Sequence, residues 1–123
     1  MKIKEVEQRV GIGRSNIRYY EREGFLRPVR YNENNYREYT EEDVSQLKRI
    51  KVLRMMGVSP EDVKLLLTEK VSLDEIMKKR LDELENEVRK GQSLQKVCEN
   101  IIGSGMDVYA FATEFALLRV DIC

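Results

Sequence analysis

A stretch of about thirty residues past the middle of the chain limits what the whole can fold into. From Leu73 to Ile102 apolar residues recur at three- and four-residue steps, at Met77, Leu81, Leu84 and Val88, and then at Gly91, Gln95, Cys98 and Ile102. The first half is a clean helical seam. In the second half Gly91 and Gln95 weaken it, or the stripe shifts to Leu94, Val97 and Ile101. A helix of that length spans roughly 45 Å, which a small globule cannot cover. A partner helix is expected, with Met77, Leu81, Leu84, Val88 and Cys98 as its dimerisation residues.

Ahead of this segment the chain marks its own helix starts. Thr40, Ser59 and Ser72 each place a hydroxyl at an N-cap, with an acid three residues on at Asp43, Asp62 and Glu75. The hydroxyl can accept an orphan amide of the first turn, and the acid favours the positive helix end. Pro60 fits a first helical position, and Gly57 breaks the chain after Met56. The spacing predicts one helix from Glu41 to Met56, with Val44, Leu47, Ile50 and Leu53 inward. A short second helix from Pro60 to Thr68 turns Val63, Leu66 and Leu67 inward.

The first forty residues read as helix, turn, helix and hairpin. Ile3, Val6 and Val10 form an inner face, Gly11-Ile12-Gly13 a turn, and Arg14 to Glu23 a second helix ended by Gly24. Phe25 to Val29 and Tyr36 to Tyr39 are strand-like runs around an Asn-rich loop, and Asn tolerates positive φ. On the second helix Arg14, Ser15, Arg18, Tyr19 and Arg22 share one outward face, while Ile17 and Tyr20 turn inward. Glu21 and Glu23 are read as intrahelical partners of Arg18 or Arg22.

Charge supports a polyanion partner for this end. The 123 residues carry 22 basic and 22 acidic side chains, yet residues 1–37 hold nine Lys/Arg against five Glu, with the balancing acid elsewhere. The chain has no histidine and shows no nucleophile elbow or phosphate loop, so an enzyme is not expected. Gly11-Ile12-Gly13 resembles the start of a dinucleotide fingerprint, but no strand precedes it and no third glycine follows in step. No apolar run reaches the roughly 20 residues needed to span a bilayer, and the first ten residues lack a signal peptide's apolar stretch. A cytoplasmic protein without membrane contact is expected.

Helix, glycine turn, helix and hairpin is the plan of a winged helix-turn-helix. The run VGIGRSNIRYYEREGFLRP, followed by NNYREYTEEDVSQLKRIKVLRMMGVSPEDVKLLL, closely resembles the DNA-binding domain of the MerR family of bacterial transcription regulators. The resemblance covers about residues 1–70. It implies a mainly α fold, in which a winged helix-turn-helix DNA-binding domain precedes a long dimerisation helix at 72–102 that pairs as an antiparallel coiled coil. It assigns Arg18 to a phosphate contact or a bidentate grip on guanine, Tyr19 to a phosphate, Arg37 to a phosphate beside the wing, and Arg14, Ser15 and Asn16 to base reading. Arg22 and Tyr36 complete the expected DNA-binding set. Two positions depart from the family pattern: Asn34-Asn35 stands where Asn-Gly is usual, and Gly13 where the N-cap is often Ser.

Metal-sensing members of the family use closely placed cysteines. Cys98 and Cys123 lie 25 residues apart without a CxxC pair, so no metal or other cofactor is expected, and Cys98 reads as a small apolar seam residue. Residues 103–123 contain only four charged side chains, and Val108, Phe111, Phe115, Leu118 and Ile122 follow at helical steps. This segment reads equally as a terminal helix packed on a dimer, as part of an effector- or partner-binding region, or as an expression-vector junction beginning at Gly103-Ser104-Gly105.

The expected function is a sequence-specific, dimeric transcription regulator that binds double-stranded promoter DNA, and the resemblance implies that it deforms this DNA for RNA polymerase. The resemblance also implies an effector ligand. A DNA-architectural or excisionase-like accessory factor and a protein-interaction adaptor are the competing readings.

Overall fold

The computed structural model describes residues 1–27 and 30–115. In chain order these form α1 (Ile3–Val10), α2 (Arg14–Arg22), β1 (Arg30–Tyr31), β2 (Arg37–Glu38), α3 (Glu41–Met55), α4 (Pro60–Leu67), α5 (Leu73–Ile101) and α6 (Val108–Phe115). They fall into two compact units, Met1–Ile76 and residues 77 onward.

The first unit is a winged helix-turn-helix head with one apolar core. Val6 and Val10 of α1, Ile17 of α2, Val44, Leu47 and Ile50 of α3, and Val63 of α4 are all buried, joined by Phe25, Leu26, Tyr39, Val58 and Ile76. Val6, Val10, Ile17, Val44, Leu47, Ile50 and Val63 are the inward positions that helical periodicity predicts. Helix α1 packs on α2 and α3, and α3 packs on α4.

Capping chemistry fixes the helix starts. The Thr40 hydroxyl accepts from the Asp43 amide at 3.2 Å while the Asp43 carboxylate accepts from the Thr40 amide at 2.9 Å, a closed capping box. Ser59 caps α4 through the Asp62 amide at 3.2 Å, and Ser72 caps α5 through the Glu75 amide at 3.1 Å. Lysines from later helices close the ends of α1 and α2. Lys51 Nζ donates to the Val10 carbonyl at 2.8 Å, and Lys64 Nζ donates to the Glu23 carbonyl at 2.8 Å. Each places a cation on a negative helix end, and together they tie the helix-turn-helix to α3 and α4.

The hairpin differs from its expected register. The ladder pairs Arg30 with Glu38 and Tyr31 with Arg37, so among the described residues its first strand is Arg30–Tyr31, in the stretch expected to be loop. Phe25 and Leu26 are core residues, and Pro28 and Val29 lie outside the described residues. The loop Asn32–Tyr36 sets this register. The Asn32 side-chain oxygen accepts from the amides of Asn34 and Tyr36, both at 3.0 Å, and Asn32 N–H donates to the Tyr36 carbonyl at 2.9 Å. Asn35 takes positive φ, at 63°, in the place where an Asn-for-Gly exchange was expected to require it.

Helix α5 is continuous from Leu73 to Ile101, with Leu73–Ile76 counted in the first unit and the rest in the second. Its first seam is uncovered, with Leu81 57%, Leu84 39% and Val88 58% exposed. Met77 is half-buried and Cys98 exposed, whereas Leu94, Val97 and Ile101 are half-buried. The second half thus follows the shifted stripe. Asp107 starts α6 by accepting from the Tyr109 and Ala110 amides at 3.1 and 2.9 Å. Leu118, Ile122 and Cys123 lie outside the described residues.

Candidate nucleic-acid interface

Helix α2 presents its polar face as its periodicity requires. Arg14, Ser15, Asn16, Arg18, Tyr19 and Arg22 are exposed, Ile17 is fully buried and Tyr20 half-buried. The Tyr20 ring stands edge-on to Phe25 at 5.5 Å and to Tyr19 at 5.4 Å, fixing one flank of the helix against the core.

Four of the candidate residues converge. Arg14, Arg18, Tyr36 and Arg37 line a cleft of about 280 Å³ together with Lys2, Ile3 and Lys4. Arg18, Tyr36 and Arg37 also line a neighbouring cleft of about 350 Å³ with Tyr31 and Asn35. Five cations from the start of α1, from α2 and from the wing therefore surround the first cleft. Such a concentration of Lys and Arg is what a polyanion backbone needs. Lys2 Nζ lies 5.0 Å from the centre of the Tyr36 ring, which joins the start of the chain to the wing tip. Ser15, Asn16, Tyr19 and Arg22 line neither cleft and lie exposed along the rest of the α2 face.

Carboxylates hold two of these arginines. Glu7 on α1 pairs with Arg14 at 3.0 Å, an exposed contact that a phosphate or base edge can displace. Arg37 is half-buried, its Nε 3.6 Å from Glu21. Although burial works against the charged form, the Glu21 charge and a hydrogen bond to Tyr31 hold the Arg37 pKa above its ordinary value. The guanidinium stays a cation under all binding conditions.

Glu21 corrects the sequence reading. It is not an intrahelical partner of Arg18 or Arg22, because its side chain is only 4% exposed and faces the wing. It accepts from the Tyr39 hydroxyl and neighbours Arg37. Its position four residues after Ile17 places it on the buried face of α2, a signal the sequence did contain. Lys2, Lys4 and Tyr31 lie at the clefts outside the expected set, and the sequence points to Lys2 and Lys4 only through the charge count of residues 1–37.

This arrangement defines a winged helix-turn-helix head of the nucleic-acid-binding type. The family model for the MerR HTH family of regulatory proteins matches residues 1–70, and the chain belongs to that family. It is 32% identical over 109 residues to the transcriptional regulator HmrR of Rhizobium leguminosarum bv. viciae, covering 83% of this chain and 84% of that protein. It is 28% identical over 108 residues to the transcriptional regulator ZntR of Escherichia coli K12, covering 81% and 77% of the two chains. Among solved structures, a MerR family transcriptional regulator from Listeria monocytogenes has a TM-score of 0.58 at 26% identity, covering 94% of this chain and 93% of that one. HiNmlR, described as a MerR family regulator lacking the sensor domain and bound to promoter DNA, shares the fold with a TM-score of 0.53 at 22% identity, covering 100% and 96%.

Proposed function

We propose that the chain is a sequence-specific transcription regulator that binds promoter DNA as a dimer. The observation that carries this reading is the convergence of Lys2, Lys4, Arg14, Arg18 and Arg37 around one cleft beside Tyr36, in a head of this family. Helix α2 would enter the major groove, with Arg14, Ser15 and Asn16 toward base edges. Arg18, Tyr19, Arg22, Tyr36 and Arg37 would hold the flanking phosphates.

The seam of half-buried Met77 and exposed Leu81, Leu84 and Val88 would pair with a second copy, and the antiparallel arrangement follows the family. Cys98 would lie at the outer part of that contact. Two heads held in this way would read a pseudo-palindromic site and spend contact energy on bending and untwisting it, so that RNA polymerase engages both promoter elements. The family implies an effector as the signal for this change. It would act in the cytoplasm, in a DNA-binding role and not as an enzyme.

A mobility-shift titration against salt tests the reading. Binding to duplex DNA should weaken steeply as salt rises. Arg37→Ala should weaken binding to all sequences alike and lower the log–log slope by about 1.8 for a dimer, twice the roughly 0.9 expected per phosphate contact. An unchanged slope removes Arg37 from the interface, and no shift at low salt removes DNA as the partner.

A further inference from the structure

We propose that Glu21 is a positioning residue for DNA binding, whose buried carboxylate holds Arg37 of the wing at a fixed place relative to α2. The inference rests on the DNA-binding reading above. The Glu21 side chain is 4% exposed, and Tyr39 beside it is 5% exposed. One carboxylate oxygen accepts from the Tyr39 hydroxyl. The other has no hydrogen-bond partner and lies 3.6 Å from Arg37 Nε. A buried anion is costly unless a cation compensates it. For this second oxygen the neighbouring guanidinium is that cation.

The hairpin explains why such a tie is needed. Its ladder has two residues per strand, too short to fix a long arginine by itself. Arg37 must nevertheless meet a phosphate while α2, on a different element, meets base edges. Glu21 sits on α2 and contacts both Arg37 and Tyr39, so it sets the wing cation against the recognition helix directly. Arg carries five N–H donors, and an ion pair approached through Nε leaves the terminal groups for a phosphate. This separates positioning from competition. A carboxylate that competed with DNA for Arg37 would weaken binding, whereas one that positions it strengthens binding.

Fluorescence anisotropy of the full chain with a fluorescein-labelled, mixed-sequence duplex of about 30 base pairs, at about 50 mM salt, distinguishes these outcomes. Wild type, Glu21→Gln, Arg37→Gln and the double variant form a cycle. Glu21→Gln keeps an acceptor for Tyr39 and removes the charge. It should weaken binding about fivefold, Arg37→Gln about tenfold, and the double variant no more than about twofold beyond Arg37→Gln alone. A merely structural role for Glu21 would give multiplying losses, which overturns the proposal, as does tighter binding by Glu21→Gln. Arg37→Lys supplies an arm that leaves Glu21 and Tyr39 unchanged: it keeps the charge on the wing and loses the Nε approach to Glu21. It should bind closer to Arg37→Gln than to wild type, and wild-type affinity overturns the proposal. Failure of the wild type to bind duplex at all would overturn the DNA-binding reading and this proposal with it, an outcome distinct from multiplying losses.

Discussion

The head and the long helix bury their apolar residues in opposite ways. In the head, α1 to α4 each turn at least one valine, leucine or isoleucine into a common core, where Val6, Ile17, Leu47 and Val63 are fully buried. Along α5, Leu81, Leu84 and Val88 are spaced just as regularly, yet each is 39% exposed or more. The same periodicity therefore carries two meanings. Four short helices can satisfy one another, whereas one helix of 29 residues has a seam that the described residues do not cover. Stability is expected to reside in the head and assembly in the helix.

The largest expected effect tests the closed side of this contrast. Leu47→Ala empties a fully buried position in α3 and should destabilise the head by about 2–5 kcal/mol, measured by urea unfolding. A loss below about 1 kcal/mol would mean that Leu47 is not a core residue. Leu84→Glu tests the open side. It should weaken self-association at least tenfold by sedimentation, which corresponds to about 1.4 kcal/mol, while leaving the thermal midpoint of the head unchanged. A dimer of full strength would place the interface elsewhere.

Smaller effects sharpen the contrast within the head. Asp43→Ala opens the capping box and should cost about 1 kcal/mol, because the Thr40 amide loses its acceptor and α3 its N-terminal anion. A pH series probes Tyr39, whose pKa is raised by burial first, then by the hydrogen bond to Glu21 and its charge. The unfolded phenol ionises near its ordinary value of about 10 while the folded one keeps its proton. The stability it contributes is therefore complete below about pH 10 and is lost as the pH rises beyond that value. Tyr39→Phe should remove this alkaline loss, and an unchanged alkaline limb would show that Tyr39 does not carry it. The smallest expected effect is the absence of a crosslink. Antiparallel helices crossing near residue 88 would set the two Cys98 roughly 30 Å apart at 1.5 Å per residue, far beyond the roughly 7 Å a disulfide spans between α-carbons. With Cys123→Ser, mild oxidation should leave the dimer uncrosslinked. Efficient crosslinking through Cys98 would contradict the antiparallel arrangement.

What the residues disclosed depended on the distance over which each feature is decided. The caps at Thr40, Ser59 and Ser72 lie within four residues of their partners, so the sequence shows them directly. The exposed face of α2 follows from helical periodicity alone. The wing register does not, because the Asn32 side chain bonds across the loop and fixes the pairing of Arg30 with Glu38 and Tyr31 with Arg37. Glu21 was misread for a related reason. Its partners Arg37 and Tyr39 lie 16 and 18 residues on, and charge neighbours within the helix offered a nearer explanation. Lys2 and Lys4 became visible as cleft residues only when α1 was packed beside the wing.

Selection of bound duplexes from a random pool tests most directly whether two such heads are joined into one DNA-reading dimer. The protein's two-fold axis requires the enriched sequences to contain two inverted half-sites at a fixed spacing. A single unpaired half-site would contradict the dimer, and enrichment of no sequence at all would contradict sequence-specific regulation.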